Sequence, residues 1–203
     1  MRAFDITLGP GRRLRVQPVG PGDRERLRQG FARLSPRSRY LRFRRPVTAL
    51  AEAQLARLTE TDGRDHVAWG AIAVEEPGSP GIGVARFVRR LDDPRTADLA
   101  LAVVDDWQRR GVGRVLVETL LLAALESGVE RLAARVLVEN TGARRLLERL
   151  GARQLLADAV EVTYELPVRR RDRLLVSSVA FREPAPAADR GTVSRLRELL
   201  RLL

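Results

Sequence analysis

The sequence predicts an α/β protein with one mixed sheet of about seven strands, antiparallel toward the N-terminus and parallel in the middle, flanked by helices. Three observations predict it. Strand-like runs at 65–76 and 81–90 are joined by "PGSPG", a turn-rich hairpin connection. The most apolar run, "TADLALAVV", passes through a glycine-containing turn into a long helical stretch and then into the strand-like "RLAARVLV". A strand–helix–strand passage of this kind sets its two strands parallel. A short helix, "NTGARRLLERLG", then leads to a final pair of strands in "ARQLLADAVEVTYELP".

Each element has a local cause. "RRLRVQPV" alternates Leu14 and Val16 with Arg13, Arg15 and Gln17, the period of a half-buried strand. In "PGDRERLRQGFARL", Asp23 is the expected N-cap and Leu27, Phe31 and Leu34 share a helical face. Ser35 caps a second helix, with Pro36 in its first turn. "TALAEAQLARLTE" reads as a third helix capped by Thr48. "TADLALAVV" is apolar on both faces toward its end, as a central strand requires. The long helix is expected over Gly113–Glu126, ended by Ser127 and Gly128. Asn140 caps the next helix and Gly151 stops it. The last two strands divide around Ala157 and Asp158. Residues 1–167 therefore read as one domain, and 168–203 as an extension with a further strand, a Pro/Ala linker and an amphipathic helix. In that helix Val193, Leu196, Leu200 and Leu203 fall in register. A tail helix docked on its own domain, or frayed, is expected ahead of a dimerisation or membrane-surface helix.

Composition narrows the function classes. Hydrophobic residues make up 44% of the chain, enough for a packed core. No apolar run reaches the length of a membrane span, and the N-terminus lacks the apolar stretch of a secretory signal. The absence of cysteine excludes disulfides and thiolate chemistry. A cytoplasmic protein without a metal site is expected. The net charge is +11, and all 37 basic residues are arginine. Arginine suits phosphates, carboxylates and nucleic acid. Here the arginines are dispersed and aromatics are only 4%, which gives few stacking platforms and argues against a nucleic-acid partner.

The chemistry concentrates at "DDWQRRGVG", Asp105–Gly113, between the most apolar strand and the long helix. A helix that starts here leaves backbone N–H groups unpaired, and its dipole adds partial positive charge. Gly111 and Gly113 remove side chains, while Arg109, Arg110 and Arg114 bring cations to an anion site. The motif is neither GxGxxG nor a GK[ST] phosphate loop. Two readings stand at this point: a phosphate cradle, or a glycine-rich turn with solvated arginines.

The stretch "LALAVVDDWQRRGVGRVLVETLLLAALESGVERLAARVLVENTGARRLLERLGA" resembles the core of the GNAT superfamily of N-acetyltransferases. "QRRGVG" matches that superfamily's Q/R-x-x-G-x-G/A signature, and Asn140, Ala143, Leu146 and Gly151 match its later helix. The resemblance covers roughly residues 13–166. "SPRSRYLRF", "GVARFVRR", "ADLALAVVDDWQRRGVG" and "VLVENTGA" look in particular like the GNAT domains of bacterial protein lysine acetyltransferases. Relatives of that kind often carry an acyl-CoA synthetase-like or cyclic-nucleotide-binding region, for which this chain has no room, so a stand-alone domain is expected.

The resemblance implies a GNAT-like fold and acetyl transfer from acetyl-CoA to a primary amine, either a protein lysine or a small molecule. It implies that the strand Leu99–Val104 splays from Leu132–Val138 and pairs with the cofactor arm. The implied cofactor-binding residues are Leu101, Val103, Val104, Gln108, Arg109, Arg110, Gly111, Val112, Gly113, Arg114, Asn140 and Arg144. Where the lysine acetyltransferases carry A-E-x-A, this chain has "ADLA", so Asp98 takes the position of the base with one methylene less. The tyrosine that many members use as an acid has Leu147 in its slot, and Ala152 replaces the phenylalanine of that motif. His66, the single histidine, suits proton transfer by its ordinary pKa but sits at a strand start, where a structural role is expected. Glu75 and Glu76 are expected at the surface and Trp107 in packing. Tyr40 and Phe43 fit an acceptor pocket or the core equally well. Two rival functions remain: a non-catalytic acyl-CoA sensor, and a basic nucleic-acid-binding protein. Dimerisation is left open.

Overall fold

The computed structural model describes residues 2–10 and 12–169. In chain order these form β1 (Phe4–Thr7), β2 (Arg13–Pro18), α1 (Arg24–Ala32), α2 (Pro36–Phe43), α3 (Glu52–Thr59), β3 (His66–Ala73), β4 (Gly81–Arg89), β5 (Thr96–Val103), α4 (Val112–Glu126), β6 (Arg131–Leu137), α5 (Thr141–Arg149), β7 (Arg153–Ala157) and β8 (Glu161–Pro167). The strands make one 8-stranded sheet in the order β1-β2-β3-β4-β5-β6-β8-β7. Only β5 and β6 run parallel; every other neighbouring pair is antiparallel. The mixed topology expected from the sequence is present, with eight strands rather than about seven. The strand, linker and amphipathic helix expected in the C-terminal extension lie outside the described residues.

The additional strand is β1. Its four residues are too few to show a period, yet Phe4 and Ile6 are buried and Asp5 pairs with Arg15 across the ladder. Two expected caps also differ in their bonding. Asp23 stands at the N-cap of α1 as expected but makes no side-chain bond to it; its carboxylate closes a preceding 3-10 turn by accepting from the Gly20 N–H, and it takes Arg26 and Gln17 as partners. Thr48 lies ahead of α3, whose start is held by the Gln54 side chain accepting from the Ala51 N–H. Ser35 and Asn140 cap α2 and α5 as expected, accepting from the Ser38 and Ala143 N–H groups. The long helix begins one residue early, at Val112.

The register assigns the faces. Val84–Ala102, Arg86–Ala100 and Val88–Asp98 are opposed across β4 and β5, so these side chains share one face. Gly83–Val103, Ala85–Leu101 and Phe87–Leu99 share the other. Helix α4 covers the second face; it is buried almost all round and packs on β3, β4 and β5. Helices α1 and α2 cover the first face, where Phe31, Phe43, Val84, Ala100 and Ala102 line a small common cavity. The core therefore lies in two layers with the functional end of β5 between them.

Candidate active site

The sheet opens at Asp98. β5 and β6 pair only through Thr96–Arg131, Ala97–Leu132 and Asp98–Ala133, and beyond that point they part. The ladder's phase shows which groups face the gap. The Arg90 N–H donates to the Thr96 carbonyl and the Val104 N–H to the Ile82 carbonyl, so even-numbered residues of β5 point their backbone groups at β4. Leu99, Leu101 and Val103 then point theirs toward β6. The Val103 carbonyl accepts from the Gln108 amide. Leu99 and Leu101 thus present a strand edge inside the sheet, which an extended amide-containing chain can complete as a further strand.

This phase sets one expected site residue apart from the gap. Val104 has no backbone group to offer: its N–H goes to Ile82, its carbonyl accepts from the Trp107 N–H, and its side chain is buried. Leu101 and Val103 keep N–H groups directed into the gap.

Beyond the strand, the loop has the geometry of an anion cradle. No acceptor within the described residues takes the backbone N–H groups from Arg109 to Arg114; the first helical bond is Val115 N–H to the Gly111 carbonyl. Two residues turn the chain with positive φ, Arg109 at 57° and Gly111 at 91°. Successive N–H groups at a helix start form the concavity that binds phosphate. Arg109 and Arg110 are exposed beside it, and Arg110 lies over the Trp107 ring at 5.8 Å. The loop is braced from below. Trp107 is buried and donates to Glu76 at 2.7 Å, and Asp105 accepts from the Ser35 N–H and from the Ser35 and Ser38 hydroxyls. Burial works to raise the Asp105 pKa, but these bonds outweigh it and hold the carboxyl below its ordinary value. Glu76, expected at the open surface, is instead this brace and also meets Arg33.

Other expected residues divide between cleft and scaffold. A cleft of about 470 Å³ runs from the α5 side to α2 and α3, lined by Asp98, Leu101, Asn140, Ala143 and Leu146 among others. Val112 is fully buried, but its N–H belongs to the cradle. Gly113 differs in its reason. A Cβ there would meet Leu101 and Leu146 at 3.3 Å, so the missing side chain permits helix–sheet packing rather than phosphate approach. The Arg114 Nε is tied to buried Glu118 at 2.7 Å. Arg144 does not line the cleft; its fork holds the Tyr164 hydroxyl and the Val138 carbonyl, tying α5 to β8 and to the end of β6.

Asp98 stands at the vertex of the opening with its side chain 56% exposed. Its Oδ1 accepts from Arg90 Nε at 3.0 Å and from a terminal nitrogen at 2.6 Å. Phe43 lines the cleft, whereas Tyr40 does not. Residues that the sequence did not single out also appear here: Arg42 on α2 and Arg86 on β4 line the cleft on the Asp98 face. As two among 37 basic residues they carried no local signal. Arg86 reaches the Arg57 carbonyl and His66 Nε2. Arginine only donates, so this imidazole nitrogen is the acceptor and is unprotonated.

Burial lowers the His66 pKa, and the Arg86 charge lowers it further, against smaller opposing effects from the Glu60 backbone and Asp62. The unfolded chain therefore binds this proton at a higher pH than the folded one. The resulting stability is present above about pH 6.5 and is lost as pH falls through the folded value. We expect His66→Gln, whose amide oxygen still accepts from Arg86, to melt with less pH dependence than the parent between about pH 7 and 5.5. Parallel melting curves for both proteins across that range would contradict the assignment.

Among the described residues no helix is long and apolar enough to cross a membrane, and no group of three or more His, Cys, Asp or Glu could hold a metal.

Known proteins share this arrangement. The family profile described as "Acetyltransferase (GNAT) domain" matches residues 13–153. The chain is 40% identical over 128 residues to Acetyltransferase Pat of Mycolicibacterium smegmatis, an alignment covering 62% of this chain and 37% of that protein. The chain thus spans little more than a third of that relative's length. An acetyltransferase of Pseudomonas aeruginosa is 29% identical over 126 residues, covering 62% of this chain and 67% of that one. The crystal structure of the GNAT domain of S. lividans PAT superposes with a TM-score of 0.75 at 29% identity, over 81% of this chain and 96% of that chain. The structure of a cAMP-binding acyltransferase from Mycobacterium smegmatis gives 0.59 at 30% identity, over 98% of this chain and 54% of that chain. An opened central sheet, an N–H cradle after its strand, and a family profile over most of the described residues agree: the chain belongs to the GNAT acetyltransferase family.

Proposed function

We propose that the protein is an acetyl-CoA-dependent N-acetyltransferase whose acceptor is a primary amine, on a protein lysine or on a small molecule. The unpaired N–H groups of Arg109–Arg114, placed directly beyond the strand edge of Leu99 and Leu101, carry this reading. The cradle suits a diphosphate, and the edge suits the amides of a pantetheine arm. Asn140 and Ala143 line the opposite wall.

In the reaction the amine nitrogen attacks the thioester carbonyl carbon. The C–S bond breaks, an amide forms, and the sulfur leaves as thiolate. The proton lost by nitrogen passes to a base and finally to solvent or the thiolate. Gap-facing N–H groups of Leu101 and Val103 are the donors that would polarise the carbonyl. Asp98, at the vertex, accepts the amine's proton directly or through a water.

A second reading has one observation in its favour. Arg90 clamps Asp98, and neither described tyrosine lines the cleft, as a non-catalytic acyl-CoA sensor would allow. Turnover separates the two. The chain has no cysteine, so thiol release can be followed without background from the protein. We expect acetyl-CoA-dependent acylation of amines, with kcat falling about tenfold or more in Asp98→Ala while CoA affinity stays within about threefold. Tight CoA binding with no turnover on a broad amine panel would favour the sensor. No CoA binding at all would remove both readings.

A further inference from the structure

Arg42 and Arg86 line the cleft without the carboxylate partner that many arginines elsewhere in the fold have. Arg15, Arg33, Arg44, Arg89, Arg90 and Arg131 each meet a carboxylate. Arg42 and Arg86 meet none among the described residues. Arg42 has only the face of Phe43, 5.0 Å from its guanidinium carbon. Arg86 has the Arg57 carbonyl and neutral His66. Among the described residues Asp98 is the only carboxylate lining this cleft, and Arg90 holds it.

The position is specific. Arg86 opposes Ala100 across the ladder, between Leu99 and Leu101, whose backbone groups edge the gap. Arg42 joins it from the end of α2. Burial lowers both guanidinium pKa values to about 10, with Arg44 acting further on Arg42 and Arg42 on Arg86. Both stay protonated at neutral pH. Two partly desolvated like charges with no counterion are unfavourable by themselves, and a bidentate carboxylate is the group that best offsets them.

We propose that Arg42 and Arg86 form a carboxylate-recognition subsite at the acceptor end of the cleft, so that the preferred substrates carry a carboxylate close to the reacting centre. This inference rests on the acyl-transfer reading of the site. The carboxylate has two sources. It belongs to the acceptor, as in an amino acid or a lysine with acidic neighbours, or to the acyl chain, as in a dicarboxylic acyl thioester. A bare cationic amine is the poorest fit to both arginines.

Matched substrates test this without altering the protein. In one arm, acetyl-CoA is used with an amino acid against its carboxamide, and with a lysine peptide flanked by glutamate against one flanked by glutamine. In the other, succinyl-CoA is compared with acetyl-CoA on one uncharged-flank amine. We expect the carboxylate-bearing member of at least one arm to win by about 30-fold or more in kcat/KM. The arm that responds identifies the source. Arg42→Gln and Arg86→Gln should each erase that preference and change the charge-free member by less than about threefold. Arg42 makes no hydrogen bond that a glutamine would lose, so Arg42→Gln should melt no lower than the parent. A preference below threefold in every pair, or no turnover on any, overturns the proposal. Calorimetric titration with CoA then shows how far the failure extends: retained binding confines it to the subsite, and lost binding removes the acyl-CoA site as well.

Discussion

Gly111→Asp is expected to weaken CoA binding by about 100-fold, and Gly111→Asn by far less. Gly111 sits at φ 91°, just before the first turn of α4 and within the run of unpaired N–H groups. A Cβ there finds only ordinary contact, with Leu8 at 3.6 Å, so the obstacle is conformational rather than steric. Asparagine and aspartate are the side chains that best tolerate left-handed backbone, and both should fold at a cost of about 1 kcal/mol. They differ in charge. A carboxylate roughly 6 Å from a bound phosphate, at an effective dielectric near 20, opposes it by about 3 kcal/mol. That is about two decades in Kd. Calorimetric titration of CoA into both variants checks the difference. Equal affinities would show that the cradle does not face the diphosphate.

Gly113→Asp is expected to act on folding instead, destabilising the protein by about 3–5 kcal/mol, the scale of a buried charge left without a partner. The position is two residues along the same motif, but its missing Cβ faces Leu101, Leu146 and Val103 rather than the cradle. A carboxylate placed there enters an apolar wall between α4, β5 and α5 and leaves no room for the helix to approach. Urea denaturation measures this directly. A variant that kept the parental midpoint while losing CoA affinity would mean that Gly113 serves the ligand after all. The signature's two glycines thus do separate jobs, one permitting a backbone angle and the other permitting contact between layers.

What the sequence made legible follows from how local each cause is. The passage from β5 through the loop to α4 is written in consecutive residues: an apolar run, two glycines and a helical period. The Asn140 and Ser35 caps are similarly local. Val104 was assigned to the site because sequence alternation does not say which residues of a two-sided buried strand turn their backbone toward the gap. That phase is set by Ile82 on β4. Arg144 fits the motif by spacing, but Tyr164, twenty residues on, claims it from β8. Thr48 is a good capping residue that lost to Gln54, and Asp23 stands at the N-cap of α1 with its carboxylate turned back to the preceding 3-10 turn. The pairing of Arg42 with Arg86 was the least accessible, because it depends on the β4–β5 register and on where α2 lands. Neither is encoded within a short window.

The three residue pairs that join β5 to β6 have a thermodynamic consequence of their own. The sheet is two panels, β1–β5 and β6–β8–β7, held at a short seam and otherwise by the helices across them. If the gap takes a ligand as proposed, that ligand makes the hydrogen bonds that would normally close such a seam, and part of the protein's cohesion is then supplied from solution. Its resistance to unfolding should rise with the logarithm of ligand concentration, and the amides along Leu99–Val103 should exchange most slowly when the ligand is bound. On that reading the substrate is also a structural element, and the stability of the empty protein measures what the open seam costs.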